Sequence, residues 1–187
     1  MNLVVEQLQQ DHRQLVRVLY HLEKAIKSFS GIGRGTASME SVLDILDYIQ
    51  VYPEIWHHPV EDLIYEILLQ KEIPEPQLLA NCIEEHGVLE LLTENLHSYI
   101  DQLAAGREEV RLRFVRAGSD YVNRQLTHME HEQTTLFPLI DRYLNDEDWE
   151  LIKQRIKSIQ PAADQGRYKR YQSLYQDIAS ASVVTAH

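Results

Sequence analysis

The stretch HHPVE at residues 57–61 places a histidine and a glutamate four positions apart, in a segment whose apolar residues repeat with helical spacing. Residues four apart are neighbours on one side of an α-helix, so His57 and Glu61 can offer two metal-binding groups to one place. The same spacing recurs in the pairs His86–Glu90 and His128–Glu132. The pairs lie roughly 30 to 40 residues apart, about one helix and a turn each. This repetition favours a site inside a helical bundle.

Apolar residues recur at steps of three and four through four long segments, which is the period of one helix face. The segments cover about residues 2–29, 39–70, 76–105 and 108–144. No segment alternates apolar and polar residues with period two, so no sheet is expected. The sequence therefore predicts an all-α, up-down-up-down four-helix bundle at residues 1–145. Residues 146–187 are predicted to form a short C-terminal helix and a tail, packed on or beside the bundle.

Glycine and proline mark the connections between these segments. GIGRGTAS at residues 31–38 and KEIPEPQ at residues 71–77 are expected to be loops. Pro53 and Pro59 each lack a backbone N–H, so a kink or a short break is expected just before His57. Pro138 is expected to bend the fourth helix near its end. The residues after Pro161 are expected to form either a packing helix or a loose tail.

Composition and charge exclude several classes of protein. Hydrophobic residues make up 44% of the chain and charged residues 25%, as in ordinary globular proteins. No apolar run reaches the length of a membrane span, about 18 to 20 residues. The net charge of −11 argues against a nucleic-acid partner, which requires a basic face. Cys82 is the single cysteine, which excludes an intrachain disulfide and a thiolate zinc site. A cytoplasmic protein with no membrane partner is expected.

Seven side chains with nitrogen or oxygen donors occupy the inward stripes of the four segments. The candidate metal ligands are His12, His57, Glu61, His86, Glu90, His128 and Glu132. Seven ligands exceed the four that zinc prefers and suit two first-row metals that share carboxylates. Imidazole with carboxylate and without thiolate favours iron, with manganese as the second choice. Buried glutamates also need cations to offset their desolvation.

Other residues near these candidates are interpreted as outer or packing residues. His58 and His131 are expected to be rotated off the inward face. Cys82 faces inward and is interpreted as a small core residue. The pair Glu84-Glu85 is interpreted as a solvated face. Glu90 has an alternative interpretation, in which it holds an outer hydrogen bond to a ligand histidine.

Taken together, these motifs resemble the hemerythrin-like family, also called HHE cation-binding domains, over about residues 5–145. The marks of the resemblance are Asp11-His12, HHPxED at residues 57–62, Glu85-His86, and His128-x-x-x-Glu132 followed by LFP at residues 136–138. The resemblance implies a non-haem di-iron centre with a bridging oxo or hydroxo group. It further implies that Glu61 and Glu132 are bridging carboxylates, and that His12, His57, His86 and His128 are terminal ligands.

Two departures from the pattern of oxygen-carrying hemerythrins bear on the expected function. Those proteins have a further histidine where this chain has Glu90, and an aspartate at spacing five where this chain has Glu132 at spacing four. An extra carboxylate ligand would stabilise the ferric state, so reversible oxygen transport is not expected. We expect a di-iron protein that binds or senses dioxygen, peroxide or nitric oxide, as a monomer or small homo-oligomer. The alternatives are a di-iron enzyme (peroxidase-like or iron-centre repair), an iron storage or handling protein, and a purely structural bundle.

Overall fold

The computed structural model describes residues 2–30 and 39–159, which contain α-helices, short helical turns and connecting segments, and no β-strand. The seven α-helices of this part of the chain are α1 (Leu3–Phe29), α2 (Met39–Tyr52), α3 (His58–Leu68), α4 (Gln77–Ala104), α5 (Arg111–His131), α6 (Phe137–Tyr143) and α7 (Asp146–Ile159). The predicted loop at residues 31–38 and the residues after Pro161, predicted to form a packing helix or a loose tail, lie outside the described residues.

Four rods build the bundle. The first rod is α1, the second is α2 with α3, the third is α4, and the fourth is α5 with α6. Helices α1 and α4 each pack against both α2 and α5, so the first and third rods occupy opposite corners. The predicted all-α four-helix bundle is confirmed.

Two apolar cores lie at opposite ends of this bundle, and their membership gives the direction of each rod. The start of α1 (Val5, Leu8) belongs to one core with α3, and its later residues belong to the other core with the start of α2. Helix α4 begins in the core that contains Leu79 and ends in the core that contains Leu103. Successive rods therefore run up, down, up and down, and the polar residues of the inward stripes lie between the two cores.

Two π-helical turns interrupt the second and fourth rods, at Pro53–His57 and Glu132–Leu136. In each turn a backbone N–H reaches a carbonyl five residues earlier, from His58 to Pro53 and from Phe137 to Glu132. Each turn ends two residues before a proline, whose ring would otherwise clash with the carbonyl four residues before it. The sequence predicts a kink or a short break just before His57, and the structure has its interruption there as a π-helical turn, through which the helix continues. Such turns occur often at functional sites.

Helix α7 packs on α3 outside the four rods. Its start is capped reciprocally, since the N–H of Asp148 donates to the side chain of Asn145 at 3.0 Å and the N–H of Asn145 donates to Asp148 at 2.9 Å. Trp149 and Ile152 are buried against the core that contains α3. Lys71 Nζ lies 2.6 Å from Oδ1 of Asp148 and ties the helix to the end of the second rod. None of the helices described here has the length and apolarity to cross a membrane.

Candidate metal centre

Six side chains from the four rods meet in the layer between the two apolar cores. Each is at most 5% exposed: His12 in α1, His57 and Glu61 in the second rod, His86 in α4, and His128 and Glu132 in the fourth rod. The structure thus brings together every predicted ligand except Glu90.

The carboxylate of Glu61 lies among three of these histidines. Its Oε1 is 3.4 Å from Nε2 of His12 and 3.2 Å from Nε2 of His57. Its Oε2 is 3.7 Å from Nε2 of His86. The two oxygens of one carboxylate therefore face two different groups of histidines, which is the geometry that a bridging carboxylate requires.

The carboxylate of Glu132 has a similar position on the opposite rod. Its Oε2 is 3.3 Å from Nε2 of His12 and 3.3 Å from Nε2 of His128, and its Oε1 is 3.5 Å from Nε2 of His86. Oε1 also accepts a hydrogen bond from the buried hydroxyl of Tyr65 at 2.8 Å. Like Glu61, Glu132 is positioned between two groups of imidazoles.

All four histidines turn Nε2 inward and Nδ1 toward a polar partner at the edge of the site. The Nδ1 distances to these partners are 3.2 Å for His57 to Asp11, 2.6 Å for His86 to Asp62, 3.3 Å for His128 to Glu85, and 3.2 Å for His12 to Gln133. We call Asp11, Asp62, Glu85 and Gln133 the outer ring. At His57, His86 and His128 the partner is a carboxylate, and a carboxylate that accepts a hydrogen bond from Nδ1–H leaves the lone pair on Nε2, where a metal can bind. At His12 the atom of Gln133 that faces Nδ1 is the amide nitrogen Nε2.

The outer ring connects the four rods in order. Each of its members is the sequence neighbour of an inward donor on its own rod but contacts a histidine on the next rod. Asp11 of the first rod contacts His57 of the second rod, and Asp62 of the second rod contacts His86 of the third. Glu85 of the third rod contacts His128 of the fourth, and Gln133 of the fourth rod contacts His12 of the first. Sequence analysis missed these roles, and it interpreted Glu85 as part of a solvated face. The signal that could have found them is their adjacency to predicted ligands.

Glu90 does not face the site. Its side chain is exposed, because the inward stripe of α4 follows alternating steps of four and three residues through Cys82, His86, Leu89 and Thr93. The inward orientation expected for Glu90 is therefore wrong. Its carboxylate is therefore not placed to stabilise a ferric metal in this structure.

His58 lies inside the bundle, contrary to the expectation that it is rotated outward. It is 4% exposed, and its ring stacks on His86 with centroids 4.2 Å apart and an angle of 6° between the planes. The edge of the His128 ring packs against it, with centroids 5.8 Å apart. Nε2 of His58 is buried and has no hydrogen-bond partner among the described residues. Periodicity alone did not find this residue, because the π-helical turn before it changes the angle between successive side chains.

Three overlapping groups of side chains in the described part of the chain could hold metal ions. They are His12, His57 and Glu61; His58, Glu61, His86 and His128; and Cys82, His86, His128 and Glu132. One ligand atom from each member of a group lies within 4.8 Å of the ligand atoms of the others. Because Glu61, His86 and His128 recur in these groups, the three groups share donors and form one cluster.

Buried polar atoms without hydrogen-bond partners show that the inward donors fit metal cations. Nε2 of His12, both carboxylate oxygens of Glu61 and Oε2 of Glu132 are buried without a hydrogen-bond partner in the described residues, although they approach one another to ion-pair distance. Burying such atoms unpaired is costly. Metal cations would bind these atoms directly and remove that cost.

The charges of the site favour ionised carboxylates. Burial opposes ionisation of Glu132, but the imidazoles of His128, His12 and His86 outweigh it and hold the pKa of Glu132 well below its usual value. Burial also opposes protonation of His57, but the carboxylates of Glu61 and Asp11 raise the pKa of His57 to about 10. A proton on the imidazole of His57 therefore balances these carboxylates when no cation does, and metal binding at this residue releases it.

Two further groups contact Glu132. The hydroxyl of Tyr65 donates to Oε1, and the thiol of Cys82 donates to the same oxygen at 3.4 Å. Burial raises the pKa of Cys82 to about 12, so its sulfur carries a proton. The site therefore places two protonated side chains beside one candidate bridging carboxylate.

A half-buried acid, Glu54, lies one turn before His57. Burial, together with the negative charges of Glu90 and Glu94, raises the pKa of Glu54 to about 8 in spite of its contact with Thr93. Oε1 of Glu54 is buried and has no hydrogen-bond partner among the described residues. Glu54 is therefore protonated over much of the range in which ordinary glutamates are ionised.

The fold and site define a helical bundle that carries a cation-binding centre of imidazoles and carboxylates. Residues 3–140 match the family described as Hemerythrin HHE cation binding domain, and the chain belongs to this family. This confirms the resemblance that the histidine and glutamate motifs carried. No curated protein and no solved structure showed a significant match to the chain.

Proposed function

We propose that the chain is a non-haem di-iron protein that binds or senses dioxygen, peroxide or nitric oxide. The observation that carries the proposal is the position of Glu61 and Glu132, each of which has its two oxygens turned toward different histidines. Two iron ions, with manganese as the second choice, fit this combination of imidazole and carboxylate donors. A bridging oxo or hydroxo group would complete the centre.

His12 and His57 would bind one metal, and His86 and His128 the other. Glu61 and Glu132 would bridge the two metals and bring negative charge to the interior. When bound, such a centre supplies reversible one-electron chemistry and open coordination positions for small ligands. The outer ring keeps Nε2 of each histidine directed inward, so little rearrangement is needed when the metals bind.

Burial supports a small exogenous ligand. The inward donors are at most 5% exposed, and the Phe137 ring stacks on His12 with centroids 5.4 Å apart. Apolar cores close both ends of the polar layer. A large organic substrate cannot reach donors this deeply buried without opening the bundle, which favours a diatomic molecule or a peroxide as the ligand.

A second candidate is a peroxidase-like enzyme. It is favoured by the hydroxyl of Tyr65 and the thiol of Cys82, which both donate to Glu132. Both groups hold protons close to the place where a peroxide would bind, and the cleavage of an O–O bond consumes protons. Iron-centre repair and iron storage or handling are also compatible with a di-iron site, but no contact in the described residues favours either. We further propose a cytoplasmic location and a monomer or small homo-oligomer.

Metal analysis and anaerobic titration test the proposal together. Purified protein is expected to bind two iron ions per chain, and the reduced protein is expected to change its optical spectrum when dioxygen, hydrogen peroxide or nitric oxide is added in separate experiments. Catalytic consumption of peroxide would favour the enzyme, and a stoichiometric adduct would favour a binding or sensing protein. A protein that binds neither iron nor manganese, or a reduced centre inert to all three ligands, would contradict the proposal.

A further inference from the structure

We propose that His58 is a direct ligand of the metal ion held by His86 and His128, in the role that the sequence pattern assigned to Glu90. This inference rests on the proposed two-metal centre and adds a residue to it. It makes the two metal positions unequal, with two imidazoles at one position and three at the other.

The ring of His58 lies beside donors from three other residues. One ligand atom from each of His58, Glu61, His86 and His128 lies within 4.8 Å of the others, so a single cation can contact all four residues. The parallel stack of His58 on His86, with centroids 4.2 Å apart, places two imidazoles side by side facing the same space.

Nε2 of His58 is buried and has no hydrogen-bond partner in the described residues, and the same is true of Nε2 of His12, a predicted ligand. A buried polar atom without a partner costs free energy. Coordination to a metal would satisfy this nitrogen.

The local backbone directs the side chains of two consecutive histidines to two different places. On a regular α-helix successive side chains point about 100° apart, and only one of two neighbours faces the core. The π-helical turn Pro53–His57 ends between the two histidines. The ring of His57 packs beside His12 with centroids 4.8 Å apart, while His58 packs on His86. One dipeptide thus contributes to both metal positions.

The competing candidates for this coordination position are weaker. Glu90 is exposed on another side of α4. Cys82 belongs to a group with His86 and His128, but its thiol donates to Glu132 at 3.4 Å and would have to lose that proton before it could bind a metal. His58 needs no such change, because a neutral imidazole is already a ligand.

The test compares His58→Phe with Glu90→Gln in the full chain. Phenylalanine preserves a planar ring that can stack on His86 but has no nitrogen donor. The variant therefore removes metal coordination and keeps the packing. His58→Ala with added imidazole is the second variant, because free imidazole can enter the cavity and replace the lost donor. The readouts are iron content per chain, competition with a chelator, and the number of imidazoles per iron from X-ray absorption spectra.

His58→Phe is expected to weaken one of the two iron positions by at least about 10-fold, or about 1.4 kcal/mol, and to lower the imidazole count. Imidazole is expected to restore the second iron in His58→Ala, and Glu90→Gln is expected to match the wild type. Two irons bound with wild-type affinity and imidazole count in His58→Phe would overturn this inference and leave the two-metal proposal standing. A wild-type chain that binds no metal would instead contradict the proposed function itself.

Discussion

Glu85 and His128 contact each other across two helices, with Oε2 of the glutamate 3.3 Å from Nδ1 of the imidazole. Glu85 is the sequence neighbour of His86 on α4, whereas His128 lies on α5. Arg124 contacts the other oxygen of Glu85 at 3.4 Å and helps to hold the carboxylate in place. This contact is one of four in the outer ring, which fixes the orientation of each inward histidine from a different rod.

The outer ring is expected to raise metal affinity without binding metal itself. Glu85→Gln should lower iron affinity by about 10- to 100-fold, because an amide orients and polarises the imidazole less well than a carboxylate. Glu84→Gln is the matched control, since Glu84 is adjacent in sequence and has no contact with the inward histidines among the described residues. Chelator competition measures both variants. Equal affinities in the two variants would contradict a role for the outer ring.

Metal removal is expected to destabilise the bundle. Glu61 and Glu132 are fully buried, and cations that bind only the folded state stabilise it by about 4 kcal/mol at 1,000 times Kd. For a chain of this length, the melting temperature should fall by about 8 to 16 °C on chelation. Calorimetry with and without chelator measures the change, and Glu61→Gln should show little response to the chelator. An unchanged melting temperature in the wild type would argue against a structural role for the metals.

Glu54 is expected to make the metal-free protein less stable as the pH rises. Its pKa is about 8 in the fold and 4.5 as the ordinary value, so the unfolded chain releases this proton first. The resulting loss of unfolding free energy is absent below pH 4.5 and increases until the pH exceeds about 8. Glu54→Gln should therefore reduce the decline in unfolding free energy between these limits, as measured by urea unfolding at a series of pH values. Parallel pH profiles for the two proteins would refute this assignment.

Two helical glycines should respond in opposite ways to alanine. A Cβ atom at Gly118 would collide with the side chain of Ile26, whereas a Cβ atom at Gly87 would meet no atom within 4 Å. Gly87→Ala should stabilise the protein by about 0.5 to 1 kcal/mol through helix propensity. Gly118→Ala should be less stable than Gly87→Ala by about 1 to 3 kcal/mol, the usual cost of overpacking. Urea unfolding of the metal-free proteins compares them, and equal gains in both would show that Ile26 moves aside freely.

Much of the fold could be predicted from the sequence because its determinants are local. The apolar period of 3.6 residues identifies the four rods, and their order predicts the antiparallel arrangement that the two cores confirm. The spacing His57-x-x-x-Glu61 is also local, since four residues on one helix always bring two side chains to one side. The same holds for His128 and Glu132.

The tertiary structure alone decided which neighbours of those residues belong to the site. The helical period assumes a constant rotation per residue, and the π-helical turn at Pro53–His57 changes it, so His58 enters the interior. On α4 the position of the inward stripe depends on how the helix is rotated against α2 and α5, and this leaves Glu90 outside. The contacts of Asp11 with His57 and of Glu85 with His128 join different rods, and no spacing along the chain encodes a distance between rods.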